Sequence, residues 1–443
     1  MTIIFVSNYI NHHQIPFCEE MIKLCGNDDR FYFIETEEME EDRKQMGWGS
    51  EKPEYVLSAY ESDEMNAKCR GLIYDSEVVI FGGCEDESYI KPRLEDVKNS
   101  QASSGDSNTK ARSAGGSETG CRKLTFRYSE RVYKEGQWKF ISPRGLKKKR
   151  TDHTRYNDIP FYLLCAGGYV ASDFALFGAY KNKMFKWGYF PEVQAFNIEE
   201  CLSNKGYIAK ATNSEVEDDS NMAAGDSKIP YILWGGRMIG WKHPENAVKT
   251  AEYLKKKGHS FHMDIVGNGP LHGTVSGMID ELDLNDCVSL KEFVKPAEMR
   301  EMMKRADIFL MTSDRMEGWG AVANEAMNSG CCLIADCMEG AIPYLCRDGE
   351  NAFVYSAKGG NITGLYEKTE KALEDAELRK NIAKKAYKTI TEEWNAKTAS
   401  GRLMKMIRAF EEGKEFPKYE CGPCSREYPM REKTVAANAL KSV

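Results

Sequence analysis

At 443 residues the chain is longer than the roughly 250–300 that one hydrophobic core serves, so two domains are expected, each able to bury a core of its own. Composition is that of a water-soluble protein, 42% hydrophobic and 29% charged, and no apolar run approaches the roughly 18 residues that span a bilayer. The net charge of −7 offers nucleic acid no overall attraction, and no nucleic-acid partner is expected.

From the N-terminus, "TIIFV" is a five-residue apolar run followed by polar "SNYINHHQ". It lacks the cationic flank and longer apolar stretch of a leader and predicts a first β-strand at 2–7. Further short apolar runs predict strands at 30–34, 77–81, 123–129, 161–165 and 183–187, making residues 1–190 a first α/β domain. The acidic "ETEEMEED" at 35–42 reads as a solvated loop. Small polar residues dominate "SQASSGDSNTKARSAGGSETG", which predicts a disordered insertion at about 100–121. Residues 122–155 hold twelve Lys and Arg against three acids, either a solvated basic face or a patch for phosphate or an anionic membrane surface.

The acidic "NSEVEDDSNMAAGDSK" places a linker at 191–228. Beyond it, apolar runs alternate with amphipathic segments: "YILWGG", "PENAVKTAEYLKKKG", "FHMDIVG", "GPLHGTVSGMIDELDL", "CVSL", "PAEMREMMKRA", "DIFLM", "AVANEAMNSG" and "CCLIAD". Pro244 and Pro296 fall where a helix begins, and Gly258 and Gly330 where one ends. The alternation over 229–396 predicts a second α/β domain with a parallel sheet, followed by a helix and tail at 397–443 that can pack back on the first. Fourteen cysteines without a regular framework indicate a reduced, cytosolic chain. Cys421 and Cys424 form a C-x-x-C, but in a polar tail rather than between a strand and a helix, and two thiols fall short of the roughly four ligands of a zinc site.

Open parallel sheets bind ligands beyond the carboxyl ends of their strands. There the second domain carries Gly236, Arg237 and Lys242 after "YILWGG", Gly267-Asn268-Gly269-Pro270 after "FHMDIVG", Phe293 and Val294 after "SLKE", and "EGWGAVANEAM" (317–327) after "DIFLM". In the last of these, Gly318 and Gly320 precede a helix expected near Ala321, so backbone N–H groups there can meet an anion. Arg237 and Lys242 supply opposing positive charge, and a diphosphate is the expected guest. Glu317 in the loop and Glu325 in the helix are poor partners for phosphate. They suit sugar hydroxyls on its two sides, one a nucleotide ribose and the other a transferred sugar. Singly, each residue has an ordinary reading as an exposed cation or an acid favouring a helix dipole.

These residues resemble retaining glycosyltransferases of the GT-B fold, specifically glycosyltransferase family 4, the "glycosyl transferases group 1" domain. The resemblance rests on Gly235-Gly236-Arg237 to Lys242, "VGNGP" (266–270), "DIFLMTSDRMEGWGAVANEAMNSG" (307–330) and "GAIPYLCRDGENAFVY" (340–355), and covers about 229–396. It implies two Rossmann-like domains facing each other across a cleft. It also implies that Arg237 and Lys242 hold and stabilise the leaving diphosphate, with Gly320, Ala321 and Val322 as amide donors. Glu325 is similar to the ribose-binding glutamate and Glu317 to the one contacting the donor sugar, with Gly267 and Asn268 near base and ribose. Such chains usually serve bacterial surface-polysaccharide synthesis, so the implied partners are a nucleotide-sugar donor and a carbohydrate or lipid-linked acceptor, met from the cytoplasm at the inner face of the membrane.

The first domain departs from the family pattern, in which a glycine pair follows the first strand and a histidine a later one. Here Asn11, His12 and His13 follow the first strand, and Ser129, Glu130 and Arg131 follow "KLTFRY". All are acceptor-side candidates, Glu130 and His13 foremost, and Glu130 is counted with Arg237, Lys242 and Glu317 in the catalytic set. His153, beside "LKKKR", is a weaker one. The resemblance implies transfer with retention by a front-side, leaving-group-assisted path. No Asp-x-Asp is placed to hold a metal, so neither metal nor cofactor is expected. A sugar-nucleotide epimerase of the same fold, and a non-catalytic sugar-nucleotide-binding scaffold, remain open alternatives.

Overall fold

A computed structural model describes residues 1–45, 49, 52–84, 86–105, 123–134, 143–209, 227–432 and 434–435. The chain divides into two compact units, Met1–Glu192 with Asn395–Met430, and Val193–Trp394 with Arg431–Val443.

The first unit is built on strands β1 (Thr2–Ser7), β2 (Arg30–Glu35), β3 (Val56–Ser58), β4 (Val78–Phe81), β5 (Leu124–Ser129), β6 (Phe161–Ala166) and β7 (Met184–Trp187). Their order is β3-β2-β1-β4-β5-β6-β7, every pair parallel. Central strands such as Ile3–Val6 and Val78–Phe81 are buried on both faces, which is why they read as unbroken apolar runs. The sequence expectations do not include β3, because three residues are too few to show a period.

In the second unit, β8 (Tyr207–Ala209) and β9 (Ser227–Ile229) form an antiparallel ladder. Strands β10 (Tyr231–Gly235), β11 (His262–Val266), β12 (Val288–Lys291), β13 (Ile308–Met311), β14 (Cys332–Asp336) and β15 (Phe353–Tyr355) make a parallel sheet ordered β12-β11-β10-β13-β14-β15. Both sheets are Rossmann-like. Their strand order reverses between β1 and β4 and between β10 and β13, and such switch points are where loops part to admit a ligand. Among the described residues no helix is long and apolar enough to cross a membrane.

Several expectations need correction. The proposed linker 191–228 contains structure belonging to the second unit. The helix Ile198–Asn204 is capped by the Asn197 side chain, and buried Lys205 donates to the carbonyls of Met303, Lys304, Ala306 and Ser329 at 2.7–3.0 Å. Residues 210–226 lie outside the described residues. Most of the predicted insertion, 106–121, also lies outside them, whereas 100–105 end the helix Glu87–Gly105. The acidic stretch 35–42 is not simply a solvated loop. Glu35 is buried and accepts from Ile10 N, Ser58 Oγ and Lys52 Nζ, each at 2.9 Å, and residues 41–45 form a short helix.

The C-terminal helix Ala396–Glu411 belongs to the first unit, packing on the helix Ile15–Leu24, where Arg408 pairs with Asp29. The following chain is no free polar tail. Cys424 N donates to Lys186 O at 2.8 Å, Lys186 N to Ser425 O at 2.8 Å, and Glu427 N to Met184 O at 3.0 Å, which lays the segment along β7. Cys421 is exposed, but Cys424 is buried and its thiol is pushed up by that burial, the opposite of an activated redox cysteine.

Candidate functional site

In the second unit the candidate residues gather at the β10/β13 switch point. After β10, a Cβ on Gly236 would lie 3.2 Å from Lys242 Cδ, so the bare glycine leaves the groove in which the lysine stem runs. Lys242 Nζ reaches Glu317 Oε2 at 2.6 Å. Because β10 and β13 are neighbours, a cation from one loop and an acid from another 75 residues away form a half-shielded ion pair. Arg237, which directly follows Gly236, is exposed.

Gly267 and Gly269 are required by backbone contact. At φ 144° a Cβ on Gly267 would sit 1.9 Å from Gly236 O, and Met238 N donates to Asn268 O at 2.7 Å. The loops after β10 and β11 are thereby fastened together. Phe293 is 46% exposed, available to a flat ligand group.

The Glu317 loop is held from below. Trp319 is buried, donates from Nε1 to Asn324 Oδ1 at 2.9 Å, and packs on Tyr344 and Trp394. Gly320 takes φ 84°, where a Cβ would strike Met311. Gly318 O lies only 1.7 Å from where a Cβ of Gly340 would be, and Ala341 N donates to Trp319 O at 3.0 Å, so this loop rests on the one after β14. The helix begins at Val322, with Ala321 as its cap, and runs only to Asn328. Glu325 lies partly buried on it; burial pushes its carboxyl up while Arg300 acts in the opposite sense.

His243 follows Lys242 in a left-handed conformation, φ 47°, and its ring lies 3.3 Å from Asp314 Oδ2 and 2.9 Å from Glu245 Oε1. Hydrogen bonds to Asp314 and Glu245 raise it to about 9. A group raised on folding stabilises fully below its unfolded value of 6.5, and that stabilisation is lost as pH climbs through about 9. Urea midpoints of wild type minus His243→Asn should therefore shrink between pH 7 and 10. An unchanged difference would show that the imidazolium adds nothing.

In the first unit the acceptor-side candidates separate. Arg131 does not face solvent. Its side chain is buried, pairs with Asp173 at 3.2 Å, and lies over Tyr169, because an Arg in that position completes a buried ion pair rather than facing solvent. Asn11 spends its side-chain oxygen on His13 N at 3.0 Å, and Ser129 Oγ donates to Glu130 O at 2.8 Å, so both shape their own loops. His153 packs on Phe174 and Phe177, and burial lowers it to about 4. Glu130 and His13 do come together, through a tyrosine that nothing in its local sequence singles out. Tyr189 donates from its hydroxyl to Glu130 Oε1, and its ring stacks on His13 at 6.2 Å, while Lys134 Nζ holds Glu130 Oε2 at 2.6 Å. The rings of His12 and His13 lie 3.8 Å apart, and burial together with His12 lowers His13 to about 3. Sequence reading also missed His243, Trp319 and the acidic pair Asp336 and Glu339. A glycine pair does occur in this unit, Gly82-Gly83 after β4 rather than β1, with Gly83 N donating to Ser7 Oγ at 3.2 Å.

Residues 216–389 match the family model described as "Glycosyl transferases group 1". A 104-residue stretch is 34% identical to the amylovoran biosynthesis glycosyltransferase AmsK of Erwinia amylovora, covering 22% of this chain and 26% of that protein. Another of 132 residues is 27% identical to N-acetyl-alpha-D-glucosaminyl L-malate synthase of Bacillus anthracis, covering 30% and 33%. The matched stretches span about a quarter to a third of these two relatives. Among solved structures, Anabaena HepE in complex with UDP superposes with a TM-score of 0.58 at 12% identity, covering 92% of this chain and all of that one. TarM gives 0.58 at 11% identity, covering 92% and 98%. The architecture is that of GT-B glycosyltransferases, α/β with two Rossmann-like domains.

Proposed function

We propose that the protein is a glycosyltransferase that moves a sugar from a nucleoside-diphosphate donor to a hydroxyl of a carbohydrate acceptor, retaining anomeric configuration and using no metal. The acceptor class is a lipid-linked oligosaccharide of bacterial surface-polysaccharide assembly, met at the cytoplasmic membrane face. Exposed Lys147, Lys148 and Arg150 on the helix Pro143–Thr154 are in keeping with an anionic surface there. The observation that carries the reading is the 2.6 Å pair of Lys242 with Glu317, formed by switch-point loops within the span that matches the family.

In this reaction the anomeric C–O bond to the diphosphate breaks, the acceptor oxygen bonds to that carbon, and the acceptor proton leaves with the departing phosphate oxygen. Arg237 and Lys242 neutralise the leaving diphosphate, and Glu325 and Glu317 hold the ribose and the moving sugar through their hydroxyls. On the acceptor side, Glu130 held by Tyr189 and Lys134 orients the incoming hydroxyl.

A thermal-shift series with UDP, GDP and ADP, followed by product analysis with the matching sugar nucleotide, tests this. One nucleotide should raise Tm, since a ligand at a hundred times its Kd stabilises by about 2.7 kcal/mol. Sugar should then appear on the acceptor with configuration retained. Donor converted to an epimer, or bound and left unchanged, would reject transfer in favour of an epimerase or a scaffold.

A further inference from the structure

Glu339, in the loop after β14, has no role in the proposed reaction, yet its placement is costly. It is 0% exposed, and among the described residues neither carboxylate oxygen has a hydrogen-bond partner within bonding distance. A buried polar group left so destabilises a fold, so stability does not account for it. Its surroundings belong to the donor site. A Cβ on Gly320 would lie 3.7 Å from Glu339 Oε2 and 3.2 Å from Glu317 Cγ, so the two acids flank one glycine. Their loops are joined, Gly340 N donating to Glu317 O at 3.4 Å. Burial pushes the Glu339 carboxyl well above the usual range, and the charges of Glu317 and Asp336 add to this, against the opposite pull of Lys242 and of the Asp336 backbone. The Glu339 charge in turn adds to the burial that raises Cys346 and Tyr355.

In the free protein Glu317 is held by Lys242. A donor diphosphate competes for that same ammonium, and when it wins, Glu317 is left beside Glu339 without its cation. Resting on the donor-site reading above, we propose that Glu339 then donates its carboxyl proton in a hydrogen bond to Glu317 and holds that acid against the transferring sugar. A neutral carboxyl offers one O–H donor, and O–H···O⁻ bonds are short and strong. No covalent bond changes. Glu339 is a positioning residue acting through Glu317.

The test uses the full chain, with Glu339→Leu and Glu339→Gln, and with Glu339→Met should the leucine variant not fold. The probe is whichever of UDP, GDP and ADP stabilises wild type, together with its sugar conjugate as donor. The apolar variants should lose at least about tenfold in kcat, bind the nucleoside diphosphate within about twofold of wild type, and melt higher because an unpartnered buried carboxyl is gone. Glutamine keeps an N–H donor and should stay within about threefold of wild-type kcat. In a Glu317→Gln background, Glu339→Leu should cost nothing more. Wild-type kcat in the leucine or methionine variant, equal damage in the glutamine variant, or additive loss in the double variant would overturn the proposal. If none of the three nucleotides stabilises wild type, the donor-site reading falls with it; if one does and Glu339→Leu keeps wild-type kcat, only the inference about Glu339 falls.

Discussion

Lys242→Ala should lower kcat by about two to three orders of magnitude, and Arg237→Ala by at least about tenfold, because on the proposed reading each removes a positive charge from the leaving diphosphate. The lysine is expected to cost more. Its stem is seated against Gly236 and its ammonium is partly buried at 2.6 Å from Glu317, so it is already held in place, whereas exposed Arg237 must be ordered by the ligand. Loss of Lys242 also strands Glu317 beside Glu339. Steady-state kinetics on both variants, with folding checked by thermal melt, decide the matter. Near-native turnover in either would remove that residue from the diphosphate site.

Glu317 and Glu325 should give separable defects. Glu325→Ala is expected to raise the donor KM several-fold and to weaken binding of the free nucleoside diphosphate alike, since a ribose contact is made equally in ground and transition states. Glu317→Ala should chiefly lower kcat, by about tenfold or more, because contacts to the transferring sugar strengthen as charge develops at the anomeric carbon. The ion pair adds a sign to this. Without Glu317, Lys242 is released to the phosphates, so nucleoside diphosphate affinity should hold or rise. Calorimetry beside kinetics distinguishes the two: equal losses of nucleotide affinity in both variants would end the division of labour, and full activity in both would mean the site lies elsewhere.

The alternation of buried runs and amphipathic segments determined most of the architecture by itself. A strand buried on both faces reads as a near-continuous apolar run, so β10, β13 and β14 announce themselves as "YILWG", "IFLM" and "CLIAD". Glycines whose positions were equally plain, Gly267 and Gly320, take a positive φ, which that residue tolerates best, and Gly267 also lies against the Gly236 backbone. Arg237, Lys242, Glu317 and Glu325 could be singled out as candidates because each follows a strand on the ligand-binding side.

What a linear reading could not decide was partnership. That Lys242 meets Glu317 follows from β10 lying next to β13, a matter of sheet order. Arg131 resembled a ligand contact and is instead neutralised by Asp173, 42 residues away, while Tyr189, inconspicuous in "WGYFPE", joins Glu130 to His13. The segment 198–204 seemed connective until packing and an asparagine cap made it a helix. Glu339 carried no signal at all, since the cost of a buried acid exists only once other chain segments close over it. Periodicity is local and survives in the sequence; burial and pairing depend on residues far apart in the chain, and only the tertiary structure brings those together.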